Sequence, residues 1–519
     1  MILITSAAYV NPSLASELGK LPPCMLPVQN RRLYMHQISL FEGSGEVIYL
    51  SLPSSYELTS YDKKQLAQYQ VEVVKVPDGL SLGQSVVYSL NIIGRFSENL
   101  YILHGDTLFD SLQIKPDSYV VAKAEDNYAW AEDDELTETV YAGFFAFSSP
   151  SLLIRSITER NNDFIAGIEL YGQTRHLSRV MSDCWMDFGL VNTYYRSISN
   201  LTTQRAFNSM RIDRFSIRKS SLDINKMKAE ANWVLSLPKD LRHYAPAIWD
   251  SGIADGEGFY EMEYYYLSSL ANLFVFCRHP QFVWNDILSA CQVFITDVAR
   301  YRPSDFSVVK DIAHRNNELF LPKTIKRLNQ YAQQSGVSLD ETWVINGAPT
   351  PSLRDIVKET GEMIGTDQTD MVTLMHGDFC FSNILYDFKS KSIKVIDPRG
   401  VDYEGNLSIY GDLRYDVGKL AHSIIGLYDF IIAGLFDYCE NSPYNIRLEF
   451  ELTDGIKATQ ETFKRMSFAG WNLEELNVYP ILIHLFLSML PLHSDNVERQ
   501  KAMLANALRL YVLLKSKEQ

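Results

Sequence analysis

The stretch MHGDFCFSNILYDFKSKSIKVIDPRG, residues 375–400, sets an aspartate (Asp378), an asparagine (Asn383) and a second aspartate (Asp397) along one short segment. Residues 386–396 read as two strands joined by the polar turn 388–392, with Pro398 and Gly400 breaking the chain just beyond. Such a hairpin returns Asp397 to the side of Asn383. A loop leaving Asp378 turns back within one helical turn, so Asn383 faces the same cavity. One carboxylate is then placed to orient an attacking hydroxyl, and two hard oxygen ligands to hold Mg2+ against nucleotide phosphates. Phosphoryl transfer needs this set of groups. The alternative, in which Asp378 caps a helix and Asp397 occupies a turn, is weakened by the strand context that accompanies the pattern.

The rest of the chain bounds the possibilities. It has 519 residues, 46% hydrophobic, 21% charged and 12% aromatic, which is globular composition at a length that divides into several domains. A formal net charge of -15 argues against a nucleic-acid partner or an anionic membrane surface. Six cysteines (Cys24, Cys184, Cys277, Cys291, Cys380, Cys439) lack paired spacing, as expected for reduced thiols in a cytoplasm. The first residues carry no basic region before an apolar core, so no secretory signal is expected. The apolar segments 423–435 and 479–492 are too short or too interrupted to span a bilayer and read as buried helices. Neither a repeat nor a low-complexity tract is evident, and oligomeric state is left open.

Along the first two hundred residues, apolar strands at 1–4, 47–50, 71–76 and 100–103 alternate with helical stretches at 34–41 and 83–94. Alternation of this kind predicts a parallel sheet wrapped by helices, with ligands at the carboxyl ends of the strands, where Asp106 falls. The character changes around 201–213. A strand at 215–220 and a helix at 224–236, capped by Asp223, precede a strand at 259–266. Helical periodicity then dominates to the C-terminus, interrupted mainly by the hairpin.

The pattern H-x-D-x-x-x-x-N before a strand ending in Asp resembles the protein-kinase catalytic loop and metal-binding segment, with Gly377 standing where protein kinases carry arginine. More closely, residues 375–400 resemble the signature of the aminoglycoside phosphotransferase and choline kinase family. GDLRYD, residues 411–416, resembles that family's helix-anchoring segment. The resemblance implies an α+β, two-lobed protein-kinase-like domain over residues 201–519, with an N-lobe near 201–270 and a C-lobe near 271–519. It implies ATP as phosphoryl donor, Asp378 as catalytic base, Asn383 and Asp397 as Mg2+ ligands, His376 as a structural residue and Asp416 as a buried anchor. A phosphate-contacting lysine held by a helix carboxylate is matched by Lys219 and Glu230, unless both are surface charges; Arg218 points to the opposite strand face. The phosphate-covering glycine loop has no match beyond residues 207–210, and residues 262–264 resemble an adenine-binding hinge. Arg399 either contacts a phosphate or an acidic substrate, or pairs with Asp402 or Glu404.

Residues 1–200 resemble sugar-nucleotide pyrophosphorylases and related nucleotidyltransferases, which implies an α/β, Rossmann-like domain. PPCMLPV (22–28) is similar to the family's P-K-x-L-L-P-V segment, residues 103–109 to its strand ending in G-D, 141–147 to the strand beneath its sugar site, and CWMDFG (184–189) to its W-x-D-I-G segment. The resemblance implies that Asp106 and Asp187 share one Mg2+ between a nucleoside triphosphate (CTP, UTP, GTP or dTTP) and a phosphorylated substrate. Two departures stand against it. Residues 6–11 carry no glycine, and Pro23 replaces the family lysine, which Lys20, Arg31 or Arg32 would have to substitute.

A kinase makes the phosphomonoester that a nucleotidyltransferase consumes. The leading expectation is therefore a bifunctional enzyme that activates a sugar, polyol or amino-alcohol such as choline for capsule or surface-polysaccharide synthesis. A cationic acceptor would need an aromatic cage, for which residues 264–266 and the Phe379 and Phe381 rings are candidates. A single-activity kinase with a ligand-binding N-terminal domain is the second expectation, and a non-catalytic scaffold the third.

Overall fold

A computed structural model describes residues 1–112, 114–124, 139–201, 209–213 and 215–517. Phe207 and Asn208, part of the glycine-loop candidate, lie outside the described residues. The chain divides into two compact units. The first comprises Met1–Leu201 with Phe276–Arg278, and the second Thr202–Val275 with His279–Gln519.

The first unit is built on a seven-stranded sheet: β1 (Ile2–Thr5), β2 (Ile48–Pro53), β3 (Glu72–Val76), β4 (Leu100–His104), β5 (Ser118–Lys123), β6 (Thr139–Phe147) and β7 (Ser178–Met181), in the order β7-β5-β6-β4-β1-β2-β3. Successive side chains of a strand face opposite ways, and both faces here are covered. Ile2, Ile4, Leu103, Phe144 and Ala146 enter one core, while Leu3, Ile102, Phe145 and Phe147 enter the other. The sheet is mixed rather than parallel. Strand β6 runs antiparallel to both β4 and β5. A strand buried on both faces is a continuous apolar run, and such a run does not encode its direction.

The second unit opens with an antiparallel sheet of β8 (Ser209–Ile212), β9 (Ser216–Ser221), β10 (Ile248–Ala254) and β11 (Glu257–Glu263), ordered β8-β9-β11-β10. Helix α1 (Ile224–Leu235) packs on it through Met227 and Ala231 against Tyr260 and Met262. Asp223 caps α1 by accepting from the Lys226 amide at 3.0 Å, as the sequence predicts. The remainder is largely helical, including α2 (Leu321–Ser335), α3 (Leu413–Ile424) and α4 (Val478–Met489). The run VYPILIHLFLS of α4 is buried throughout, and no described helix is long and apolar enough to cross a membrane.

The hairpin of β12 (Ile384–Asp387) and β13 (Ser392–Val395) forms where expected. It is not the main interruption of the helical region, however. Ala348–Ser352, Thr342–Ile345, Asn445–Glu449 and Asp437–Ser442 form a second four-stranded sheet. These strands are only four to six residues long. Ala348–Ser352, with Pro349 and Pro351, and Asp437–Ser442 carry little apolar signal, while Thr342–Ile345 and Asn445–Glu449 alternate in burial over runs too short to stand out.

Candidate active sites

In the second unit, the catalytic-loop candidate is held from both sides. Asp416, in the first turn of α3 and fully buried, accepts the His376 amide at 2.6 Å and the Gly377 amide at 2.7 Å. Burial drives the Asp416 carboxyl up to about 7 against these two donors. From α1, the Trp233 indole donates to the Met375 carbonyl at 2.8 Å. His376 is buried and kept neutral by that burial, its pKa falling to about 4, and its Nδ1 accepts the Asp378 amide at 3.3 Å. The Gly377 position has no room for arginine. Its φ is +79°, and a Cβ there would lie 2.6 Å from the Cβ of Arg399.

Asp378 and Asn383 face each other across the resulting turn. The Asn383 amide nitrogen donates to the Asp378 carbonyl at 3.0 Å and to its Oδ2 at 2.9 Å. The other carboxylate oxygen, Oδ1, meets Lys419 Nζ at 2.7 Å. Burial opposes ionisation of Asp378, but Lys419, then Arg399, hold its carboxyl down at about 2. Hairpin and turn are tied together by the Ile396 amide donating to the Asn383 carbonyl at 3.0 Å. Asp397 follows in the left-handed region, with φ 56°.

The Asp397 carboxylate meets Lys219 Nζ at 3.0 Å, and Lys219 in turn meets Glu230 Oε2 at 2.7 Å. Tyr260 donates to the same Glu230 oxygen at 2.8 Å. Lys219 and Glu230 are 3% and 4% exposed, so they are not surface charges. Arg218 lies on the other strand face, its guanidinium 3.7 Å from the Phe259 ring centroid. Gly400 brings α1 close, since a Cβ there would fall 2.1 Å from the Ala229 carbonyl oxygen, at φ +66°. Gly400→Ala is expected to cost about 3 kcal/mol. A thermal melt of the variant checks this.

Three expectations change. Arg399 pairs with neither acidic neighbour; it donates to the Tyr415 hydroxyl at 2.8 Å, while Asp402 is 3.3 Å from Arg315. Phe379 and Phe381 are fully buried and packed on Phe294 and Phe274, so they line no cage. At the hinge candidate, the Glu263 and Tyr264 amides already donate to Ala247 and Phe215, which leaves residues 265–267 as the backbone beyond the sheet. Lys419 was not foreseen. It sits three residues after Asp416, on the helix face that Asp416 turns toward the loop, and that i, i+3 relation is the signal for it.

In the first unit, β4 ends at His104 and the chain reaches Asp106 through Gly105, whose Cβ would lie 2.7 Å from Ser6. The strand Thr107–Phe109 pairs antiparallel with Trp185–Asp187, Thr107 opposite Asp187. Asp106 and Asp187 therefore converge. A Cβ on Gly189 would lie 2.8 Å from Asp106 Oδ2 and 3.2 Å from Asp187 Oδ1. Burial, then the Asp187 charge, push the Asp106 carboxyl up to about 7. The loop 6–11 is partly engaged within the fold. The Ser6 amide donates to Ser51 and the Val10 amide to Leu21, while Asn11 reaches the Gly189 carbonyl at 2.6 Å. Arg32 cannot replace the missing lysine, because it is buried and donates to the Met25 carbonyl at 2.9 Å, beside Asp62 at 3.7 Å. Lys20 and Arg31 are exposed, Lys20 lying 4.3 Å from the Tyr9 ring centroid.

No protein-family model and no curated protein matches this chain. Solved structures do match. CTP:phosphocholine cytidylyltransferase from Streptococcus pneumoniae aligns at 13% identity and TM-score 0.29, over 39% of this chain and 98% of its own. The inositol-1-phosphate CTP transferase from T. maritima aligns at 15% and 0.30, over 40% and 97%. A thermostable mutant of an aminoglycoside phosphotransferase, in ternary complex with AMP-PNP and hygromycin B, aligns at 12% and 0.38, over 60% and 91%. The first two fall on the N-terminal part of the chain and the third on the C-terminal part.

Proposed function

We propose that the second unit transfers the γ-phosphoryl group of ATP to a hydroxyl of a small molecule, and that the first unit couples the phosphomonoester to a nucleotide, releasing pyrophosphate. The observation that carries the first step is a pair of polar clusters, Asp378 with Asn383 and Asp397 with Lys219 and Glu230, on segments tied together by the Ile396 amide donating to the Asn383 carbonyl. Asp378, oriented by Asn383 and Lys419, accepts the hydrogen bond of the attacking hydroxyl. With its carboxyl near 2 it is a weak base, which suits a loose transition state in which the proton leaves late and positioning does most of the catalysis. Lys219, fixed by Glu230, supplies the charge that meets the nucleotide phosphates.

The donor sets suit Mg2+. Asn383 and Asp397, on segments tied by the Ile396 amide and Asn383 carbonyl, offer hard oxygens, and Asp106 and Asp187 offer two carboxylates whose mutual repulsion a cation relieves. No group of three His, Cys, Asp or Glu ligands occurs among the described residues, so phosphate and water oxygens would complete either shell. When bound, Mg2+ neutralises charge on the phosphates. The six free thiols fit a cytoplasmic enzyme, and a nucleotide-activated product fits capsule or surface-polysaccharide synthesis.

Incubation with ATP, Mg2+ and a panel of alcohols tests the first activity through ADP formation. Pyrophosphate release from CTP, UTP, GTP or dTTP with the matching phosphomonoester tests the second. Asp106→Ala is expected to lower that release by about a hundredfold or more. Release unaffected by the substitution removes nucleotidyl transfer from this site. The engaged amides of Ser6 and Val10 and the proline at position 23 favour the second reading, a kinase whose N-terminal unit only binds a ligand. Under that reading no nucleoside triphosphate yields pyrophosphate.

A further inference from the structure

Building on the phosphoryl-transfer reading of the Asp378 site, we propose that its acceptor carries a fixed negative charge, a carboxylate or a phosphate ester, near the hydroxyl that is phosphorylated, and that Arg399 and Lys323 hold this group. The proposal rests on an excess of cations beside Asp378. Arg399 donates to the Tyr415 hydroxyl at 2.8 Å, with its guanidinium 4.5 Å from the ring centroid. Lys323, on α2, donates to the same oxygen at 3.3 Å. Tyr415 and Lys419 are one turn apart on α3 and share a face, and Lys419 reaches the Asp378 carboxylate at 2.7 Å.

Three cations thus gather around one phenol and one carboxylate, and that carboxylate is already paired. The other nearby acid, Asp416, is buried and occupied by two backbone amides. Among the described residues, neither Arg399 nor Lys323 has a carboxylate at ion-pair distance. Asp378 and Asp416 act on Arg399 only from beyond ion-pair distance, so keeping these two cations half-buried is costly, and a bound anion in direct contact offsets that cost.

The electrostatics point the same way. Burial pulls Lys323 below the ordinary lysine range; the Tyr415 hydroxyl resists this, while the Arg399 and Arg327 guanidiniums add to it. Burial alone would raise the Tyr415 phenol, yet Arg399, Lys323 and Lys419 bring it down to about 7. A positive field of this kind repels a quaternary ammonium or an aminosugar, and the buried Phe379 and Phe381 rings offer such a cation nothing in return. A guanidinium is also the side chain whose planar fork matches carboxylate and phosphate oxygens.

The test is calorimetric titration of the full chain, saturated with Mg2+ and AMP-PNP, with four small alcohols: glycerol, choline, D-glycerate and glycerol 3-phosphate. The expected result is that at least one of the two anions binds tenfold or more tightly than glycerol and choline, and which one distinguishes carboxylate from phosphate. Arg399→Gln and Lys323→Met are each expected to remove at least tenfold of that preference, with Arg399→Lys retaining part of it. The two positions lie on separate segments, so misfolding of one variant leaves the other informative. The proposal is overturned if glycerol or choline binds as tightly as the anions, if neither anion binds, or if both variants leave the preference intact. A loss confined to AMP-PNP affinity in the variants also overturns it, by assigning the cations to the nucleotide. Failure of AMP-PNP to bind the unsubstituted chain is a different result, which removes the kinase reading on which the proposal stands.

Discussion

Asp378→Ala is expected to lower ATP-dependent phosphorylation of the acceptor by about a thousandfold or more, with a much smaller effect on nucleotide affinity. The carboxylate is the one acidic group on the loop that is both partly exposed, at 40% of its side chain, and fixed at each oxygen by a neighbour, Lys419 on Oδ1 and Asn383 on Oδ2. Removing it deletes the acceptor for the substrate hydroxyl. It also removes the carboxylate at ion-pair distance from Lys419, a second reason for turnover to fall. Asp378→Asn keeps the shape but leaves only one oxygen for the two donors, Lys419 and Asn383, so it is expected to lose one orienting contact together with the charge and to be nearly as impaired as Asp378→Ala. Steady-state ADP formation with a saturating acceptor is the measurement, and turnover near the unsubstituted level in Asp378→Ala would exclude the assignment.

Asp416→Ala is expected to have the largest effect on folding. It strands the buried amides of His376 and Gly377, each now held at 2.7 Å or less by a carboxylate oxygen. Unsatisfied buried donors cost about 1–3 kcal/mol apiece, so a loss of about 2–6 kcal/mol follows. The thermal unfolding midpoint of the second unit should drop by several degrees, and any folded protein should be inactive because Asp378 follows directly on the released segment. Asp416→Asn keeps an acceptor for one amide and should fall between the two. A melt of Asp416→Ala that matches the unsubstituted chain would show that α3 does not anchor the loop.

Much of this arrangement is legible in the sequence because local signals fix it. The Asp223 cap sets where α1 begins, and with it which residue, Glu230, turns back toward the strand that carries Lys219. The polar turn 388–392 sets the register of β12 and β13, which delivers Asp397 beside Asn383. Other features depend on contacts between segments distant in sequence. Lys419 reaches Asp378 only because Asp416 pins the loop against α3. Arg399 ignores the acids that follow it closely in sequence, because Asp402 is occupied by Arg315 and Gly377 opens the way to Tyr415. The reversed direction of β6 and the second four-stranded sheet escaped for physical reasons: a doubly buried strand is the same read either way, and strands of four to six residues, two of them poor in apolar side chains, give too short a signal. In the first unit, the pairing of Asp106 with Asp187 follows from two recognisable segments. The burial of Arg32, by contrast, is fixed by its fit against Met25 and Asp62.

The most direct test is a crystal structure of the chain grown with Mn2+ in place of Mg2+ and with AMP-PNP, located by the anomalous scattering of the manganese. The expected result in the second unit is a manganese peak touching Asn383 and Asp397, with nucleotide phosphates within reach of Lys219 and Asp378 facing the γ-position. A nucleotide bound elsewhere in that unit, or manganese that avoids both Asn383 and Asp397, would contradict the proposed chemistry.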